Sequence, residues 1–235
     1  MSDVTEKFVR AFTEAQIWVH KHLIHFTAAF LLTGLPLISG DWFGWIATAL
    51  GYPLSNLFGN AYSAYSLGLQ IARWIHRLSA LGLATVIVPY GVLQLFRIRQ
   101  WEIWPECWSL SCLTRGIGEL IDYYVRKKRP NFGKYNVGQK LWTWAAAIGV
   151  IWMYATGLVL WFRDSFSPAT WELAHTLHDI GFFLAVIGLA VHVYLATMIP
   201  EHRPMLDAMF RTGTLPEEFV KEHHPKWYEK LKAEE

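Results

Sequence analysis

Residues 173–199 read LAHTLHDIGFFLAVIGLAVHVYLATMI. Apart from Asp179 and three histidines, the run is apolar or small, and about 20 such residues are enough to cross the hydrocarbon of a bilayer as a helix. A buried helix of a water-soluble protein rarely holds this length without a polar face. Three more stretches have the same character: Ile17–Ser39, Leu69–Phe96 and Leu141–Phe162, the last without a single charge. Glycine and proline inside them (Gly34, Pro36, Pro89, Gly149, Gly157, Gly188) are tolerated in membrane helices. The expected architecture is therefore all-α: an integral membrane four-helix bundle with spans at about 17–39, 69–96, 141–162 and 173–199, forming one domain over residues 1–235.

Composition agrees. Only 17% of residues are charged, against roughly a quarter in soluble domains, and there are 13 tryptophans, a residue favoured at headgroup depth. Residues 1–16 are amphipathic and charged and lack the basic–apolar–small order of a cleavable signal peptide. Residues 40–68 carry no Lys or Arg and read as an extracytoplasmic connection with an interfacial helix. Residues 97–140 form a basic loop containing Arg126-Lys127-Lys128-Arg129, and 200–235 a charged tail. With both termini in the cytoplasm, 18 Lys and Arg fall inside and only Arg73, Arg77 and Arg163 outside, so the expected orientation is N-in and C-in. The basic run is then a positive-inside anchor rather than a nucleic-acid patch. Cys107 and Cys112 do not make a disulfide framework, match no closed metal site, and read as ordinary loop residues.

Ionisable residues within membrane spans are costly and are functional suspects. His178 and His192 stand 14 residues apart on one helix, nearly four whole turns, so they share a face at depths ~21 Å apart. Such a spacing suits two haems stacked across the membrane, each taking an axial imidazole. By topology, His20 lies at the cytoplasmic depth of His192 and His76 at the outer depth of His178, giving the pairs His20/His192 and His76/His178. His22 or His25 could replace His20, and His175 could replace His178. Arg73 and Arg77 flank His76 and carry guanidinium forks suited to haem propionates.

Several strings resemble the cytochrome b (gamma) subunit of respiratory formate dehydrogenases, within the wider group of membrane cytochromes that serve nickel–iron hydrogenases. They are His20 ahead of Thr33-Gly34-Leu35-Pro36, the R-x-x-H element Arg73-Trp74-Ile75-His76, the K-Y-N-x-G-Q-K string of residues 134–140, the His178/His192 spacing, and His223-His224-Pro225-Lys226-Trp227-Tyr228 in the tail. The resemblance covers nearly the whole chain. It implies two haem b groups and a multi-pass subunit of the bacterial cytoplasmic (inner) membrane. It implies an iron–sulfur electron-transfer partner, which in turn carries a molybdenum- or tungsten-pterin catalytic subunit. It also implies a quinone, menaquinone or ubiquinone, beside Asn136, Gly138 and Gln139, whose amides offer donors and whose glycine lets a ring approach the backbone. No catalytic residue is assigned to this chain, and primary substrate chemistry belongs to the partners. Two other classes remain: a cytochrome b serving a hydrogenase or an organic-acid or thioester oxidoreductase, and a haem-free transporter or anchor.

Overall fold

A computed structural model of the chain describes residues 7–58 and 62–234. The expectations for residues 1–6, 59–61 and 235 lie outside the described residues. The protein is mostly helical, and four helices are long and apolar enough to cross a membrane: α1 (Glu14–Ile38), α3 (Ala64–Leu95), α5 (Val137–Trp161) and α6 (Pro168–Met198). Shorter elements are β1 (Phe8–Arg10), α2 (Gly40–Leu57), α4 (Leu110–Tyr124), α7 (Arg203–Asp207), β2 (Thr214–Pro216), α8 (Glu217–His223) and α9 (Pro225–Glu234). Two three-residue strands thus qualify the all-α expectation.

Three spans begin four or five residues before the apolar runs that announce them. In α5 and α6 the cause is capping. Ser167 accepts from the backbone N–H of Thr170 ahead of Pro168 at the first turn of α6, and Asn136 accepts from Gln139 N at the start of α5. A cap has to be polar, so it sits outside the hydrophobic run it serves.

The chain divides into two compact units. One comprises residues 14–96. Here α1 and α3 run antiparallel, with Phe26 against Gly82 and Phe30 and Thr33 against His76. Helix α2 turns back along the start of α3 in very close approach. A Cβ on Gly68 would collide with the carbonyl of Ala47, and one on Gly51 with the carbonyl of Ala64. At ~48 Å, α3 is longer than the ~30 Å hydrocarbon, so it can both cross and offer its first turns to α2. The rest of that surface of α2 is aromatic and exposed, with Trp42, Trp45 and Tyr52.

The other unit comprises residues 7–13 and 97–234. Helices α5 and α6 form an antiparallel hairpin, with Trp142 against Gly188 and Trp152 and Met153 against Gly181. The N-terminal arm, the basic loop and the tail fold together. Strand β1 pairs antiparallel with β2, Val9 opposite Leu215, and Ala11 and Phe12 both donate to the carbonyl of Gly213, which turns the chain at φ +71°. Ala11, Phe12, Phe132, Ala208, Leu215, Val220 and Trp227 are buried as its core. The arm, loop and tail therefore share one core. Helix α4 shows Leu110, Leu113, Ile117 and Ile121 on one exposed stripe, the build of helices that lie at the headgroup level.

Since Gly68 meets backbone rather than a pliable side chain, Gly68→Val is expected to separate α2 from α3 and to cost about 3 kcal/mol. Thermal unfolding in detergent should show a lower midpoint with helical content retained below it. An unchanged midpoint would contradict the contact.

Candidate functional site

The four histidines singled out by depth fall on three of the four spans, His20 on α1, His76 on α3 and both His178 and His192 on α6, and all are half-buried, whereas His25 and His175 are exposed. Each unit can be read by itself. In α6, His178 and His192 are separated by 14 residues, ~21 Å along the axis. In the other unit, His76 lies level with Thr33 of α1, and His20 precedes Thr33 by 13 residues, ~20 Å along α1. Each of the two units thus carries histidines at a similar separation.

His76 and His178 also share a hydrogen-bonding pattern. Thr33 donates its hydroxyl proton to the carbonyl of Ala29 at 2.6 Å, so its oxygen accepts from Nδ1–H of His76 at 3.0 Å. Thr156 donates to the carbonyl of Trp152 at 2.9 Å and accepts from Nδ1–H of His178 at 2.8 Å. A hydroxyl has one proton, and a backbone carbonyl takes it in both cases. With its proton on that carbonyl, each hydroxyl oxygen is placed to accept from an imidazole protonated on Nδ1, which would leave the lone pair on Nε2. Gly157 keeps its backbone clear beside the His178 ring. His192 stacks on Trp142, with centroids 5.3 Å apart and planes 16° apart. His22 has its Nδ1 on the carbonyl of Trp18 at 2.8 Å, and His175 faces Asp179 at 3.4 Å.

The two signature strings, about ninety residues apart in sequence, meet. Lys134 lies over the rings of Trp227, Tyr135 and Phe12 at 5.3–6.0 Å, and burial holds its ammonium below the ordinary lysine range. His224 donates from Nδ1 to the carbonyl of Gly133 at 2.9 Å, and Lys226 N donates to the carbonyl of Phe132. Asn136 and Gln139 form a reciprocal capping box on α5: Asn136 Oδ1 accepts from Gln139 N at 2.9 Å and Gln139 Oε1 from Asn136 N at 3.0 Å. Their side-chain oxygens are committed to the helix start. Gly138 lies against Leu120 of α4. Beside the cap, Tyr124 donates to Nε2 of His202, whose Nδ1–H donates to the carbonyl of Leu195 at 2.7 Å. Burial, and then the neighbouring Tyr123, push the Tyr124 phenol up to about 12.

The sequence profile of the prokaryotic cytochrome b561 family matches residues 90–212, more than half of the chain. The chain belongs to that family. It is similar to the formate dehydrogenase cytochrome b556 subunit of Haemophilus influenzae, 25% identical over 202 residues, which are 84% of this chain and 73% of the relative. It is also similar to two Escherichia coli K12 proteins. These are the formate dehydrogenase cytochrome b556(fdo) subunit, 30% identical over 111 residues, and the nitrate-inducible cytochrome b556(Fdn) subunit, 24% identical over 111 residues. The matched stretch is 46% of this chain and about half the length of either Escherichia coli relative.

A prokaryotic cytochrome b561 is a membrane cytochrome b in electron transfer, and membership implies haem b. The residues fit the group. An axial imidazole needs its lone pair on one nitrogen and its proton anchored on the other, and the threonine oxygens at Nδ1 of His76 and His178 suit that state. Arg73 is exposed at the helix surface, while Arg77 leans over the ring of Trp74 at 5.8 Å. Thr33, Thr156, Tyr124 and His202 were not singled out by sequence. The two threonines interrupt apolar runs, and a polar atom in a membrane span needs a partner. One expectation is corrected: Cys107 and Cys112 are joined in a disulfide that brackets the start of α4. Their five-residue separation lets the loop around Ser109, the α4 cap, fold back on itself.

His224 yields a pH prediction. Burial foremost, with His223 and His202 adding to it, depresses its pKa against the opposing bond to Gly133. Above about pH 6.5, the ordinary histidine value, the ring is neutral folded or unfolded. As pH falls, the unfolded tail takes a proton the folded tail resists, so stability drops. Hydrogen exchange of residues 214–228, corrected for intrinsic rates, should speed up between pH 7.5 and 5.5 and do so less in His224→Asn. Equal protection at both pH values would contradict the buried neutral ring.

Proposed function

We propose that this chain is the dihaem, membrane-anchoring subunit of a quinone-linked oxidoreductase, passing electrons between an iron–sulfur partner subunit and quinone, most simply in a formate dehydrogenase. The observation that carries the reading is the equal ~20 Å separation of two histidines within each unit. His76 and His178 hold one haem and His20 and His192 the other. The matching of His20 with His192 and of His76 with His178 follows from the depths counted along the spans. Each haem supplies a one-electron ferric/ferrous couple when bound. Arg73 and Arg77 neutralise propionates at one end of the span.

Asn136, Gly138 and Gln139 border the quinone. With their oxygens tied into the cap, the amide N–H groups of Asn136 and Gln139 are the donors that face a quinone carbonyl, and the glycine leaves room for its ring. The basic loop and tail lie in the cytoplasm of a bacterial inner membrane, so that quinone is met on that side. The names of the relatives support formate as the primary donor and a catalytic subunit, carrying molybdenum or tungsten pterin, beyond the iron–sulfur partner. A hydrogenase or organic-acid enzyme using the same kind of subunit is the second reading, separated by identifying the co-purifying subunits.

His192→Ala is expected to remove one haem, leave the other reducible by the native donor, and abolish quinone reduction. Asn136→Ala is expected to keep both haem spectra, lose about 1 kcal/mol of helix-cap stability and slow quinone reduction. Haem content and quinone reductase activity check both. Two haems retained in His192→Ala would remove that ligand assignment, and parental quinone rates in Asn136→Ala would confine the residue to its cap. Reporter fusions after Glu235 and within residues 47–57 should report opposite sides, with the first cytoplasmic. The reverse would overturn the orientation.

A further inference from the structure

Threonine is common in membrane spans, where its hydroxyl usually returns a bond to its own helix and nothing more. Thr143, Thr176 and Thr197 do so on exposed faces. Thr33 and Thr156 differ in two respects. Both are buried, at 3% and 9% exposure, and both accept a second hydrogen bond from a histidine on the neighbouring helix. The arrangement is present in each unit, at the two histidines assigned to one haem.

We propose that Thr33 and Thr156 are positioning residues for the axial histidines His76 and His178: each holds the Nδ1 proton, presents Nε2 to the iron, and sets the donor strength of the ring. The proposal rests on the reading that these histidines ligate haem. Three consequences follow from the geometry. The Nδ1–H tautomer is favoured, because a hydroxyl proton given to the carbonyl of Ala29 or Trp152 leaves the oxygen as an acceptor for the ring. Rotation of the ring about its Cβ–Cγ bond would break a bond of 2.8 or 3.0 Å in a buried setting, where a lost hydrogen bond is costly. The acceptor is neutral. A carboxylate in its place would draw the Nδ1 proton and push the ring towards imidazolate, favouring ferric iron, and a hydroxyl does so far less. The threonines thus keep this haem easier to reduce than a carboxylate partner would. His192 packs on the indole of Trp142.

The test is redox titration and low-spin electron paramagnetic resonance of the full chain, with its partner subunits, carrying Thr156→Val or Thr33→Val. Valine keeps the shape and removes the acceptor. Each variant is expected to hold one haem about tenfold less tightly. The same haem should shift to higher potential, a tenfold change in its ferric/ferrous ratio corresponding to about 59 mV for one electron. Its resonance signature should change, and the other haem should keep its potential. Thr156→Ser, which restores the oxygen, should restore the parental values. A merely structural threonine would lower the unfolding midpoint without moving one potential and leaving the other. If both valine variants keep parental potentials and signatures, the positioning role is wrong while the haem assignment stands. If the parent binds no haem, the assignment itself falls.

Discussion

Hydrocarbon cannot hydrogen-bond a peptide group, and that constraint organises this protein. It requires the crossing segments to be helices with their backbone bonds closed internally, and it makes every polar side chain among them an obligation to be met. Thr33, Thr156, His76 and His178 meet it by bonding to one another and to backbone carbonyls of their own helices. The same bonds suit both imidazoles to the proposed role of haem ligand.

Outside the spans a different economy holds. The arm, loop and tail build a small core around Leu215, Val220 and Trp227, closed by the pairing of residues 8–10 with 214–216. Lys134 within its aromatic surround and His224 on Gly133 join the two strings most diagnostic of the formate dehydrogenase branch. Part of their diagnostic value thus has a packing basis, since each string supplies one half of the same contact.

The spans were legible because a run such as 141–162 has no charge and no alternative to the membrane. Their starts were not, since Asn136 and Ser167 are polar caps lying outside the runs. The helix within residues 40–68 was anticipated. The folded tail was not, because its strand pairs across some two hundred residues and periodicity cannot reveal so distant a partner. Histidine depths could be counted along a helix, whereas the threonines that hold His76 and His178 could not be told from ordinary back-bonding threonines without coordinates. The disulfide was missed because two cysteines five apart make no framework, and it pulls against the basic-residue rule. Oxidised pairs belong to oxidising compartments, and a loop carrying nine Lys and Arg belongs in the cytoplasm. The weight of charge across the whole chain favours the cytoplasmic side.

The central claim is that two pairs of histidines hold two haems. It is tested most directly by quantifying haem per polypeptide in the purified complex, with electron paramagnetic resonance of the oxidised form. The account predicts two haem b per chain of this type, both low-spin with bis-histidine signatures. One haem, or none, or a high-spin centre with an open axial position, would contradict it.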